Sequence, residues 1–289
     1  MIDSEQINQL KMRIKEGLQF FNQQDQLKLF DTYFEEAKFG YSRVADKIEI
    51  QKRKLKKSEL KIFEFGSGPS FLALFLAFDG YSVQTVEPAK DEFSFFKDMQ
   101  RVVMGIAKSE NLSLSHFEGT LETFSSNEMY DFVFSINVLE HVEDPFACLE
   151  KATKLIGKDG LIFIHCPNYL IPYEPHLKIP LLPNRKIAQI IYKERIEKSE
   201  QLWKGLNFIT ATSVRNFTAS RNLDLTFHDA LSDAFLRVGR DPQFAARTPY
   251  LLRLLTRFLL NSGMLRMLKL LPPWLYSPME FSIATRSNS

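Results

Sequence analysis

The stretch Lys61-Ile62-Phe63-Glu64-Phe65-Gly66-Ser67-Gly68-Pro69-Ser70, continuing into Phe71-Leu72-Ala73-Leu74-Phe75-Leu76-Ala77-Phe78, decides the fold. Its first five residues read as a short buried strand. Gly66 and Gly68 permit a sharp turn and close approach of a ligand. The dense apolar run that follows suits a helix laid against a sheet, and Asp79-Gly80 breaks it. A strand, a glycine turn and a helix in that order open an α/β pattern.

The rhythm repeats downstream. Residues 82–88 read as a second strand, closed by Pro88, and 90–108 as a helix. Strands follow near 112–117 and at 131–137, then a helix over 144–155 and a fifth strand at 161–166. Such alternation predicts parallel strands with helices on both faces. Right-handed crossovers make the sheet doubly wound. Ligands then bind outside the carboxyl ends of the strands, near 64–70, 87–90, 118–122, 137–144 and 165–176.

Upstream, Ile7, Leu10, Ile14, Leu18 and Phe21 recur at helical steps, as do Leu27, Phe30 and Phe34. Residues 1–57 are therefore a helical layer, ending in the basic run 51–57, which reads as a solvated helix end and turn or as a contact for lipid or polyanions. The cofactor-binding core occupies 58–168. A substrate-side loop and helix occupy 169–209, where Pro167, Pro172, Pro175, Pro180 and Pro183 break regular structure before a helical stretch at 184–204. The end of the sheet occupies 210–289: a helix at 210–220, a strand near 223–229, helical 249–271 and a terminal strand at 279–286. The last two strands pair around a helical insertion at about 230–276, giving a mostly parallel sheet of seven strands.

Composition narrows the class. With 45% apolar and 25% charged residues the chain buries a substantial core. A net charge of +2 makes no case for nucleic acid. Two cysteines, Cys148 and Cys166, exclude a disulfide framework and a cysteine-rich zinc site. The N-terminus lacks a basic-then-apolar signal pattern, so the cytoplasm is the expected location. Cys166 reads as a buried strand-end residue, and Gly-X-Ser-X-Gly is absent.

Glu87 lies 23 residues after Glu64, at the end of the second strand. A carboxylate there accepts the hydroxyl hydrogens of a ribose. The glycine turn lacks a Gly-Lys-Ser/Thr ending, which argues against a P-loop. The Glu64 turn, Glu87, Gly119-Thr120-Leu121-Glu122, Asn137-Val138-Leu139-Glu140-His141 and Gly160 through Asn168 stand in a familiar order. This set resembles the class I S-adenosylmethionine-dependent methyltransferases, especially the small-molecule and quinone O-methyltransferase branch, over residues 60–168. The resemblance implies a Rossmann-like methyltransferase fold and S-adenosylmethionine as cofactor. It implies that Glu64, Gly66, Ser67 and Gly68 form the methionine-side loop, and that Glu87 and Pro88 meet the ribose. Gly119, Thr120 and Leu121 would border the adenine, and Asn137 and Val138 would lie along the cofactor. The family pattern has a third glycine near Ser70, which this chain lacks.

Methyl transfer to a hydroxyl needs positioning and a base. His141, His176 and His165 are the candidate bases, because each follows the carboxyl end of a strand. Glu140, Glu143 and Glu174 are candidates to orient a base or to bind a cation, but their spacing defines no metal cage and no essential metal is expected. Between Tyr250 and Leu271, 14 of 22 residues are Tyr, Phe, Leu or Met, with Arg253, Arg257, Arg266 and Lys269 and no acid. Residues 249–276 therefore suit the inner face of a membrane as a peripheral contact, a homodimer core, or the cover of an acceptor pocket. The expected acceptor is a hydrophobic small molecule or a lipid-linked one. The alternatives are N- or protein-methylation, or a noncatalytic cofactor-binding scaffold.

Overall fold

The computed structural model describes residues 2–19, 24–88, 95–182, 184–240, 245, 250–264 and 270–286. In chain order the elements are α1 (Ser4–Gln19), α2 (Gln24–Leu55), β1 (Lys61–Phe65), α3 (Phe71–Phe78), β2 (Ser82–Glu87), α4 (Phe96–Ser109), β3 (Leu114–Glu118) and β4 (Tyr130–Ile136). They continue as α5 (Pro145–Thr153), β5 (Ile156–Cys166), β6 (Tyr173–Glu174), β7 (Ile179–Pro180), α6 (Arg185–Ile191), α7 (Lys193–Glu197) and α8 (Glu200–Gly205). The last are α9 (Ala211–Ser220), β8 (Leu223–His228), α10 (Leu231–Arg240), α11 (Tyr250–Asn261) and β9 (Met279–Thr285).

Seven strands form one sheet in the order β3-β2-β1-β4-β5-β9-β8. The β1–β2, β1–β4 and β2–β3 pairs are parallel, while β8 and β9 run antiparallel. This is the mostly parallel, doubly wound sheet that the strand–turn–helix rhythm predicts, with helices before it and inserted before its last strand.

The chain divides into two compact units. The first contains Met1–Ile136 and Ala147–Phe163; the second contains Asn137–Phe146 and Ile164–Arg286.

Phenylalanine builds the first unit's core. Phe30 and Phe34 of α2 meet Phe71 and Phe75 of α3, with ring centroids 5.4–5.7 Å apart. Tilted and edge-on pairs of this kind add about 0.5–1.5 kcal/mol each beyond the area they bury. Ile14, Val44 and Ile48 complete the same buried cluster, so the N-terminal helices are part of the core. In the second unit, Trp203, Tyr169, Leu177, Ile179 and Ala188 form a separate cluster under the short helices.

Several element boundaries differ from expectation. β5 starts at Ile156, ahead of the expected 161. Gly157 and Gly160 read as breaks, yet the backbone passes through them with Asp159 at φ 65°. Gln51 Nε2 donates to the Asp159 carbonyl at 2.7 Å. The stretch 184–204 is three short helices rather than one. The late helix stops at Asn261, because Gly263 takes φ 70°. Residues 265–269, with Arg266 and Lys269, lie outside the described residues, as do 89–94 at the expected start of the 90–108 helix.

Candidate active site

Within the first unit, the turn after β1 is pinned to β2. The Gly66 and Ser67 N–H groups both donate to the Val86 carbonyl, at 2.8 and 3.2 Å. Gly66 and Gly68 take φ 69° and 50°, so both glycines use their conformational freedom. Ser70 takes φ 62°, a left-handed backbone where the family pattern has glycine. That conformation costs a non-glycine residue ~1–2 kcal/mol. Two bonds hold it: Ser70 N–H to the Ser67 carbonyl at 2.8 Å, and the two hydroxyls 3.0 Å apart.

Glu64 points into the protein from β1 and is buried. Its Oε2 has no hydrogen-bond partner in the protein. Burial, and then the nearby charge of Glu87, push its carboxyl well above the usual carboxylate range. Glu87 ends β2. Its Oε2 accepts from the Gly68 N–H at 2.9 Å, and its carbonyl accepts from the Gly119 N–H at 3.1 Å. One residue therefore joins the turns after β1 and β3. Pro88 follows, half-buried.

Gly119 is constrained sterically, since a Cβ there would lie 2.4 Å from the Phe117 ring. Thr120 caps the next turn, its carbonyl accepting from Thr123 N–H, and Leu121 is buried. Sequence reasoning missed Gln100. Its Nε2 donates to the Gly68 carbonyl at 2.7 Å from the buried face of α4. The available signal was a polar residue beside the apolar stripe Phe96, Met99, Val103 and Ile106.

The second unit holds the remaining candidates. Asn137 takes φ 55° and its N–H donates to the His165 carbonyl at 2.8 Å. The Val138 carbonyl accepts from His141 N–H at 2.8 Å, closing a single 3-10 turn over Leu139–His141. Asn207, also missed, clamps that turn. Its Nδ2 donates to the Leu139 and Val142 carbonyls at 2.7 and 2.9 Å, and its N–H donates to the Glu140 carbonyl at 3.0 Å.

Glu140 is fully buried, and neither carboxylate oxygen has a hydrogen-bond partner. Burial pushes its pKa up to about 7. Burial, then the His176 charge, push His141 down to about 4, so its imidazole is neutral at neutral pH. The His141 and His176 rings meet edge-on, centroids 5.0 Å apart. His176 Nδ1 lies 2.6 Å from Oε1 of buried Glu174. Burial alone raises the Glu174 pKa, but the bonds from His176 and Leu177 outweigh it and hold it below its ordinary value.

His141 and His176 are thus brought together with two buried carboxylates. His165 is engaged elsewhere: it is buried, with Nδ1 2.9 Å from Oε1 of buried Glu280 on β9. Cys166 is fully buried, and burial, then Glu140, raise its thiol well above the usual range, which fits an inert strand-end residue. Asn168 is a further missed residue. Its Nδ2 donates to the Trp274 and Tyr276 carbonyls, and its Oδ1 accepts from Ala211 N–H.

In the late segment, α10 and α11 pack closely: a Cβ on Gly239 would lie 2.4 Å from Leu260 Cδ1. Tyr250, Leu254, Leu255 and Phe258 of α11 stay exposed. Among the described residues, no helix is long and apolar enough to cross a membrane.

A model of the methyltransferase domain family matches residues 34–228, more than half of the chain. The chain belongs to that methyltransferase family. This methyltransferase-family chain is 30% identical to an uncharacterized protein of Mycobacterium tuberculosis over 194 residues, 64% of this chain and 65% of that protein. It therefore spans less than two thirds of that relative's length. It is 26% identical over 111 residues to a ubiquinone biosynthesis O-methyltransferase of Rickettsia akari, covering 38% of this chain and 41% of the other. Among solved structures, the plantazolicin methyltransferase BpumL in complex with SAH is similar over 98% of both chains, at TM-score 0.51 and 15% identity. A phosphoethanolamine N-methyltransferase of Haemonchus contortus is similar at TM-score 0.50 and 14% identity, covering 80% of this chain and 50% of that one. The fold is that of the class I S-adenosylmethionine-dependent methyltransferases, whose cofactor is S-adenosylmethionine.

Proposed function

We propose that this chain transfers the methyl group of S-adenosylmethionine to a hydroxyl of a hydrophobic or lipid-linked small molecule. The carrying observation is the buried Glu64 oxygen that no protein group meets, beside a turn held by Glu87. Two neighbouring carboxylates that raise one another's cost suit a ligand bringing an ammonium and donor hydroxyls. The cofactor has both, so the residues present fit it. Glu64 with Gly66, Ser67 and Gly68 would hold its amino-acid end, and Glu87 with Pro88 its ribose. Gly119, Thr120 and Leu121 would border the adenine, with Asn137 and Val138 along it. When bound, the cofactor supplies a methyl group activated by a sulfonium.

The chain's own task is then to orient the acceptor, exclude water and take a proton. Among the candidate bases, His141 and His176 sit with Glu140 and Glu174, while His165 is committed to Glu280. We assign proton removal to the former group. A hydrophobic acceptor is supported by the exposed apolar side chains, most of which lie in the second unit, including Ile190, Ile191 and Phe258. The partial match to ubiquinone biosynthesis O-methyltransferases supports it too. We further propose a peripheral membrane contact through 249–276, at the cytoplasmic face.

Three measurements test this. Calorimetric titration with S-adenosylmethionine should give binding that Glu87→Ala abolishes or weakens at least tenfold; wild-type protein that does not bind sinks the reading. Methyl-labelled cofactor with a cell extract should label the organic phase. Label in a water-soluble metabolite overturns the acceptor class. Vesicles containing anionic lipid should carry the full chain in flotation, and a chain that stays behind, as monomer or dimer, overturns the membrane contact.

A further inference from the structure

We propose that Arg185 is an oxyanion subsite for the acceptor, taking a carboxylate or phosphate that the acceptor carries in addition to its hydroxyl. The Arg185 guanidinium lies over the Phe208 ring, 3.7 Å from its centroid, and 5.3 Å from the centroid of Trp203. A guanidinium laid on a ring keeps its N–H donors in its own plane. There they meet a carboxylate or phosphate through two parallel hydrogen bonds. The Phe208 platform is strained. It takes φ 57°, a left-handed backbone that a bulky residue rarely adopts. Two bonds hold that turn: Ile209 N–H to Asn207 Oδ1 at 3.1 Å, and Tyr169 N–H to the Ile209 carbonyl at 3.1 Å. Strain of this kind persists only where the surroundings impose it, and it gathers at ligand sites.

A second observation concerns charge. Among the described residues no acid pairs with Arg185. Nearby Lys193 and Lys204 are answered within their own helices, by Glu197 at 3.7 Å and Glu200 at 2.7 Å. Burial against the rings lowers the Arg185 pKa, and Tyr169 opposes that shift. A guanidinium that has lost part of its water and has no acid beside it favours an arriving anion. Arg185 itself stays exposed and Phe208 is half-buried, so a ligand can reach both the cation and the ring.

Two chains of contact, both inside the second unit, lead from this platform to the candidate bases. The Tyr169 ring lies 4.8 Å from that of Phe208, and its hydroxyl donates to Glu174 Oε1 at 3.4 Å. The same carboxylate oxygen engages His176 Nδ1 at 2.6 Å. Phe208 also follows Asn207 directly, and the Asn207 amide holds the turn that carries His141. The wall that carries Arg185 is therefore continuous with the one that carries His141 and His176. It offers aromatic faces for an apolar body and a fixed cation for an oxyanion, which together select an amphiphilic, anionic acceptor. That the anion belongs to the methyl acceptor rests on the methyl-transfer reading. Anion binding at Arg185 does not.

The test uses the full chain and three probes built on one ring: phenyl phosphate, benzoate and neutral benzyl alcohol, each titrated by calorimetry. Wild type should bind at least one of the anions about tenfold more tightly than the alcohol. Arg185→Gln should erase that preference. Arg185→Lys keeps the charge but loses the planar fork, and should retain only part of it. Circular dichroism checks folding, and Arg185→Lys carries the comparison if Arg185→Gln does not fold. Calorimetry with S-adenosylmethionine runs in parallel. Methyl-labelled cofactor is then supplied with a cell extract, and an anion exchanger should retain the labelled product. Release by phosphatase marks a phosphate monoester, and release only on acidification to about pH 3 marks a carboxylate. Arg185→Gln should raise the extract concentration for half-maximal labelling about tenfold and leave the maximal rate in place. Anion binding without cofactor binding supports the subsite and removes the acceptor from its description. Wild type that prefers neither anion, or a folded Arg185→Gln or Arg185→Lys that keeps the full preference, overturns the subsite. A labelled product that passes the exchanger overturns it too, and leaves methyl transfer standing.

Discussion

The Gly68 N–H donates to Glu87 Oε2 at 2.9 Å, which ties the glycine turn after β1 to the end of β2. Glu87 therefore shapes the turn before any ligand arrives. Glu87→Gln keeps an acceptor of the same size and loses the charge. Charge-assisted hydrogen bonds contribute about 1.5–3 kcal/mol against about 1 kcal/mol for neutral ones. We expect Glu87→Gln to weaken S-adenosylmethionine binding about tenfold and to cost about 1 kcal/mol in denaturant unfolding. Equal affinity by calorimetry would show that the ribose is not held here.

Glu64 predicts a pH dependence whose sign is fixed. Its folded pKa is raised, so between the ordinary carboxylate value and the raised one the folded state holds more protons than the unfolded state. Stability then falls as pH rises through that window. Glu64→Gln removes the charge. The variant should melt above wild type at about pH 8, with the gap closing toward about pH 5. S-adenosylmethionine should shrink the gap at high pH by adding a cation beside Glu64. A gap independent of pH in thermal melts counts against the buried, unpaired carboxyl.

Ser70 holds a left-handed backbone with two bonds to Ser67. Ser70→Gly removes a strain of ~1–2 kcal/mol and a hydroxyl bond of about 1 kcal/mol. The two nearly cancel, and we expect a change within about 1 kcal/mol. Ser70→Ala keeps the strain and loses the bond, leaving a buried hydroxyl of Ser67 to find another partner. It should cost about 1–2 kcal/mol in denaturant unfolding. Ser70→Ala melting at or above Ser70→Gly would be the contrary result.

Asn207 satisfies two carbonyls of the Leu139–Val142 turn with one side chain. Asn207→Ala should cost about 2–3 kcal/mol, since both carbonyls lose their donor. Amide hydrogen exchange at His141, whose N–H closes the turn, should speed up before global unfolding. Unchanged protection at His141 would mean that the turn holds itself.

Much of this was legible in the sequence, and the reasons differ by residue. β1, its turn and α3 show in sequence because a buried strand and a buried helix leave continuous apolar runs on either side of glycine. Glu64 and Glu87 stood out as acids at strand ends. Ser70 did not declare its left-handed backbone, since serine carries no signal for it. Asn168 and Asn207 were invisible for another reason. Their partners lie far along the chain, as far as Tyr276 for Asn168, and a lone asparagine in a loop has no periodicity. The early start of β5 was hidden because Gly157 and Gly160 usually mark breaks, and the Gln51 bond to the Asp159 carbonyl comes from far along the chain. The pairing of His141 with His176 depends on how the 169–209 loop returns, which spacing alone does not determine.

β8 and β9 pair antiparallel with His228 opposite Glu280, although more than fifty residues of sequence separate them. The two ends of the insertion therefore meet at one rung of the ladder. Closing a longer loop between fixed ends adds only about 0.6 kcal/mol per doubling of its length. The segment between Leu231 and Leu271 is in effect a cassette on a fixed mount. It can be shortened, lengthened or exchanged while the register of the sheet stays put, provided the Trp274–Ser277 stretch that Asn168 grips is left in place.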